Sequence, residues 1–396
     1  MGTSVGVGCS LKKNPEEAGQ EAVLKALEQC GLAKPDFIFA FATVGYDQQI
    51  LIRAIRSTVP DVPLSGCSGE GIITQDMAAE TNFCVCVMAI SSDELRFDNL
   101  RVKEIIHGAD LGGERLAEDI KPLISADNIA CFLFADGLVF DFDPFLAAFE
   151  KSLNRESRLP FFGGLASDNL ISRKTYQYHN DEVFSQGISC VLMSGRGEVA
   201  AGISHGCVPI GTKHTITRSK GNIIYEIDNI PVLELLKDYV EEDLTSQWNK
   251  LSLNLCLGFK TPENIAKFYG EYIVRYMMGK DDREGCVTIQ SDVRDGDELW
   301  IVRRDKELIR DGLQAISRQI KDKMGTRKPS FIMQFECMGR GKVVFREQEK
   351  IDLIRSLQAE LGADIPWIGF YTYGEIGPVS NYNCIHNFTA VVAAVY

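Results

Sequence analysis

Short continuous apolar runs alternate with amphipathic stretches along this chain, and that alternation predicts an α/β fold. Phe37-Ile38-Phe39-Ala40-Phe41, Ile129-Ala130-Cys131-Phe132-Leu133-Phe134 and Phe331-Ile332-Met333-Gln334-Phe335 read as strands. Between them apolar residues recur at helical spacing, as in Ile50, Leu51, Ala54 and Ile55, or Ile309, Leu313, Ile316 and Ile320. One helix carries its own punctuation: Asn14 caps it, Pro15 fits its first turn, Glu17 completes a capping box and Gly31 stops it.

Three segments share one order of strand, helix and Pro-x-x-Gly turn, followed by an acidic residue and a further strand. The turns are Pro63-Leu64-Ser65-Gly66, Pro160-Phe161-Phe162-Gly163 and Pro366-Trp367-Ile368-Gly369. With 13 Pro and 35 Gly, about one Pro-x-x-Gly arises by chance, so the weight lies on the shared order. Asp93-Glu94-Leu95-Arg96-Phe97 and Asp297-Glu298-Leu299-Trp300-Ile301 each precede a helix and add a second correspondence. The expected architecture is repeated strand–helix–strand units forming two related α/β lobes with mixed β-sheets. The Gly-rich polar stretch 212–222 is the expected seam, giving domains 1–220 and 221–396.

Composition narrows the function classes. A chain of 396 residues suits two to three packed lobes, and a net charge of −13 disfavours phosphate backbones and anionic leaflets. Nucleic acid is therefore not an expected partner. No apolar run approaches the ~20 residues of a membrane span, and Met1–Ser10 lacks a secretory pattern, so neither membrane insertion nor export is expected. Cys84, Cys86, Cys131 and Cys190 lie in apolar strands, where thiols act as small hydrophobes, which fits the reducing cytoplasm.

Candidate chemistry clusters on the turns. Gly66-Cys67-Ser68-Gly69-Glu70-Gly71 bends sharply and offers Cys67, Ser68 and Glu70 to a polar ligand, with Glu70 suited to an ammonium group. It matches neither the phosphate-loop spacing nor the nucleophile elbow. Cys67 would be a nucleophile only with a base beside it, and His205 and His386 are candidates by residue type alone. In Tyr371-Thr372-Tyr373-Gly374-Glu375, the rings of Tyr371 and Tyr373 supply apolar walls and Glu375 a carboxylate. Arg340, between two glycines, fits a ligand carboxylate, so Arg340 facing Glu375 would suit a zwitterion. The alternative reading of each is structural: a tight turn, packed rings, a solvated loop arginine. Cys84-Val85-Cys86 lacks a second pair at ligand spacing, so no metal and no cofactor are expected. Glu241-Glu242-Asp243 reads as a solvated helix end.

These motifs, in this order, resemble the FIST family of sensory domains. The resemblance rests on Gly66-Cys67-Ser68-Gly69-Glu70, Pro160-Phe161-Phe162-Gly163-Gly164-Leu165-Ala166 and Gly202-Ile203-Ser204-His205-Gly206 with Pro209-Ile210-Gly211. Tyr225-Glu226-Ile227-Asp228 and Pro231 follow. It continues through Phe335-Glu336-Cys337-Met338-Gly339-Arg340, the stretch Gly369 to Pro378, and His386-Asn387-Phe388-Thr389. It spans nearly the whole chain as an N-terminal and a C-terminal part. Cys207 stands where the family pattern has an aromatic, which bears on any role for His205. The resemblance implies a non-enzymatic sensor of small ligands, with amino acids or their derivatives proposed. With no kinase, cyclase or F-box segment in view, its signal is expected to pass to a separate partner protein. A protein-binding adaptor without a small ligand and a Cys67-dependent enzyme are the alternatives.

Overall fold

The computed structural model describes residues 2–31, 34–75, 77–154, 159–240, 248–263, 265–266 and 270–396; Glu241-Glu242-Asp243 lies outside them. Three units of one topology build the body. The first has strands Thr3–Ser10, Phe37–Ala42, Leu64–Ser68 and Val85–Ser92, with helices Pro15–Cys30 and Gln48–Thr58. The second has strands Leu95–Val102, Asn128–Ala135, Phe161–Leu165 and Ile188–Gly195, with helices Ala109–Ile120 and Phe142–Leu153. The third has strands Val199–Ser204, Phe331–Cys337, Trp367–Thr372 and Ala390–Val395, with helices Lys306–Met324 and Glu347–Leu361. Each sheet runs first, fourth, second, third strand, and only the second and third are parallel. The mixed α/β architecture expected from the apolar pattern is thus present.

The Pro-x-x-Gly turns start the parallel pairs. The carbonyls of Pro63, Pro160 and Pro366 each accept the N–H of Ile38, Cys131 and Ile332 at 2.9 Å. Three residues on, the glycine sits against the neighbouring strand. A Cβ on Gly66, Gly163 or Gly369 would lie 1.8, 1.9 or 2.1 Å from the carbonyl oxygen of Ala40, Leu133 or Gln334. Only glycine permits that approach.

The hairpin between each unit's third and fourth strands leaves its own sheet and extends another. The Ile72–Thr74 and Met77–Ala79 hairpin joins unit three, Gln177–His179 and Glu182–Phe184 joins unit one, and Glu375–Val379 and Tyr382–His386 joins unit two. This cyclic exchange locks three sheets round one core. Their inner faces meet through Phe37, Phe39, Phe41, Phe132, Phe134, Phe335 and Phe370, with Phe41 stacked on Phe370 at 4.6 Å between centroids. The helices cover the outer faces. Strands buried on both sides need apolar residues at every position, which is why the sequence shows continuous runs rather than alternation.

A fourth, eight-stranded sheet is inserted between the first strand and first helix of unit three. It runs from Cys207–Lys220 to Glu298–Arg304 and has its own apolar cluster around Leu257, Val287, Leu299 and Ile301. Asp297-Glu298-Leu299 therefore opens the last strand of this insert, and the counterpart of Leu95–Val102 is Val199–Ser204. Residue 220 ends Cys207–Lys220, at the tip of a hairpin with Ile223–Ile227.

Candidate functional site

The sequence-selected residues occupy two settings. Cys67 is wholly buried in the central core, and burial pushes its thiol well above its ordinary pKa. Ser68 Oγ donates to the Ser167 carbonyl at 2.8 Å and accepts the Tyr176 N–H at 3.0 Å, fastening two turns together. Glu70 is buried, with one carboxylate oxygen 3.0 Å from Lys342 Nζ and the other accepting the Leu170 N–H at 3.1 Å. Burial raises its pKa while Lys342 opposes the rise.

Arg340 and Glu375 are brought near each other, but inside the protein. The Arg340 guanidinium meets Glu336 at 2.6 Å and donates to the His205 carbonyl at 2.9 Å. Glu375 accepts the Thr372 hydroxyl at 2.5 Å and the Thr389 N–H at 3.1 Å, and burial pushes its pKa well up. His205 is half-buried; its Nδ1 accepts the Cys207 N–H at 3.0 Å, and burial lowers its pKa to about 4. The Tyr371 ring is buried under Lys350. Arg340 and Glu375 therefore satisfy internal partners.

Tyr373 is different, because it borders a cavity of about 240 Å³. Its hydroxyl donates to Asp168 at 2.7 Å and accepts the Leu170 N–H at 2.9 Å, placing the ring beside the 168–174 loop. The cavity lies beyond the carboxyl ends of the central strands. Gly137 and Leu138 follow Asn128–Ala135, Met338 follows Phe331–Cys337, and Tyr373 follows Trp367–Thr372. Ligands of open α/β sheets bind at that end. The inserted sheet supplies the far wall through Tyr276, Met278 and Gln290.

Asn387 ties the two walls. Asn387 Oδ1 accepts the Tyr276 N–H at 3.1 Å, and its amide nitrogen donates to Gln290 Oε1. Two bulky residues facing the cavity, Leu170 and Phe388, hold left-handed backbone at φ of 58° and 55°. For side chains of that size the conformation costs of order 1–3 kcal/mol, and such strain concentrates at functional sites. The walls are apolar and aromatic with a few neutral polar groups, the usual make-up of a small-molecule site.

A larger trough of about 1390 Å³ opens where units two and three meet, lined by Pro160, Phe162, Val199, Ala201 and Ile203. It lies at the amino ends of the parallel strands and is the weaker candidate on topology.

Two family models match successive parts of the chain. The FIST N domain matches residues 36–230 and the FIST C domain residues 233–378. The chain belongs to the FIST family. FIST domains are generally described as small-ligand sensors in signalling proteins. The boundary between the two matches falls inside the inserted sheet. An uncharacterised Mycobacterium tuberculosis protein is 26% identical, covering 98% of both chains. One from Mycobacterium bovis is 24% identical, also at 98% of both. A Methanocaldococcus jannaschii protein is 23% identical over 85% of this chain and 67% of its own length. Among solved structures, a chorismatase aligns over 100% of this chain and 99% of its own, at 11% identity and a TM-score of 0.36.

Of the residues bordering the FIST cavity, sequence reasoning selected Tyr373 alone. Asn387 and Phe388 stood in a family motif but carry no reactive group, and Tyr276, Met278 and Gln290 lie in the insert. Their proximity to Tyr373 depends on how two sheets dock, which no local spacing reveals.

Proposed function

We propose that this FIST protein is a non-catalytic cytoplasmic sensor whose small ligand occupies the cavity between the three-unit body and the inserted sheet. The observation that carries this reading is the pair of strained residues, Leu170 and Phe388, facing one cavity that both parts wall. A ligand there touches both and changes how firmly they are held together, a change a separate signalling partner can read. An amino acid or derivative fits the volume, with Tyr373, Tyr276 and Phe388 packing its side chain and Asn387 and Gln290 meeting its polar end. The twelve cysteines are free thiols, consistent with a reducing compartment. The absence of catalysis is supported by the burial of Cys67, whose raised pKa keeps it a thiol.

A thermal-shift screen of metabolites tests this, run beside Met278→Trp. Met278 is 43% exposed on the cavity rim, so an indole there fills space with little cost to the fold. A ligand at 100 times its dissociation constant adds ~2.7 kcal/mol of stability, and Met278→Trp should abolish that gain. A hit that stabilises Met278→Trp equally well binds elsewhere.

A further inference from the structure

The cavity has a charge asymmetry that the family reading does not supply. Every side chain bordering it is neutral, yet a half-buried cation stands behind one wall. Arg304, the last residue of the inserted sheet, lays its guanidinium 5.3 Å from the centroid of the Phe388 ring. It donates to the carbonyls of Gly339 and Leu253 and, at 3.3 Å, to Asn254 Oδ1. Its Nε is buried without an acceptor. No carboxylate among the described residues pairs with it; the ionisable groups acting on it are the thiols Cys256, Cys337 and Cys207.

The carboxylates nearby are engaged by hydrogen bonds or ion pairs. Asp168, across the cavity, accepts the Tyr373 hydroxyl and the N–H groups of Ser172, Arg173 and Lys174, so its lone pairs are committed. Glu70 faces Lys342, and Arg340 faces Glu336. Of the ligands proposed above, a free amino acid would bring an ammonium that no carboxylate with an open lone pair meets. A derivative without the ammonium is an anion drawn by Arg304, a cation that no carboxylate among the described residues pairs.

From this arrangement we infer that the cavity selects small organic monoanions, a carboxylate on an aromatic or apolar body, with Arg304 setting the charge preference. The body packs on Phe388, Tyr373 and Met338, and the carboxylate takes N–H bonds from the Asn387–Gln290 amides under the Arg304 field. This rests on the site proposed above, and the test separates the two.

Calorimetric titration with 3-phenylpropanoate, 3-phenylpropanamide and phenylalanine provides it. These probes share one body and carry a negative, no and a balanced charge. The anion should bind at least tenfold tighter than either of the others. Arg304→Gln should remove that margin while leaving the amide's affinity unchanged, and Arg304→Lys should keep most of it, which guards against reading a folding defect as lost selectivity. Equal affinity for all three probes, lost together in Met278→Trp, would keep the site and overturn the anion preference. Binding of none of them would overturn both.

Discussion

Buried titratable groups make the stability of this protein depend on pH from both sides. Burial holds the folded-state pKa of His205 at about 4 and that of His386 at about 3, below their ordinary 6.5. Their neutral forms favour the fold above pH 6.5, and that contribution is lost as pH falls through the folded values. Glu375 runs the other way. Its pKa is raised from 4.5, so its contribution is present below 4.5 and lost as pH rises through the raised value. Glu375→Gln keeps both hydrogen-bonding positions without the charge. Its unfolding free energy in urea should match the parent at acid pH and exceed it above neutrality, by up to ~1.4 kcal/mol per pH unit within the window. A parallel pair of curves would show that Glu375 titrates normally. At this scale the sequence was a poor guide to the site: Glu375 and Arg340 have ligand-binding chemistry, and so do residues that solvate one another in a core. Only their burial distinguishes the two roles.

At the scale of elements, the three glycines of the Pro-x-x-Gly turns do the same task in different units. Gly66→Ala, Gly163→Ala and Gly369→Ala should each lower stability, at or beyond the upper end of the ~1–3 kcal/mol usual for overpacking, since the new methyl overlaps a backbone oxygen. Equilibrium denaturation of the three variants checks this. A cost confined to one of them would break the equivalence of the units. These elements were legible because strand, helix and turn are local patterns. The Asn14 cap, whose Oδ1 accepts the N–H groups of Glu16 and Glu17 at 3.0 Å, and the Gly31 stop at φ 74° were equally readable. The exchange of hairpins was not, since it is a pairing between segments far apart in the chain. Nor was the first strand of unit three, because an inserted sheet separates Val199–Ser204 from the helix that follows it in the other units.

The whole molecule explains why the proposed site joins residues from separate motifs to an insert that no motif marked. Cyclic exchange of hairpins ties the three units into one body, while the insert meets that body beside the cavity through Asn387, Tyr276 and Gln290. The Arg275 guanidinium also reaches across, donating to the Ile385 carbonyl at 3.1 Å. On the proposed reading, a ligand at this joint would add to these polar bonds and to the apolar cluster of Val274, Val302, Cys337 and Phe388, so that body and insert would move as one. Hydrogen exchange with and without the ligand giving the largest thermal shift tests that claim most directly. Protection should rise together at residues 137–138 and 170–172 of the body and at 276–278 and 290 of the insert. Protection confined to the trough between units two and three, or to the turns at Glu70 and Glu375 alone, would contradict it.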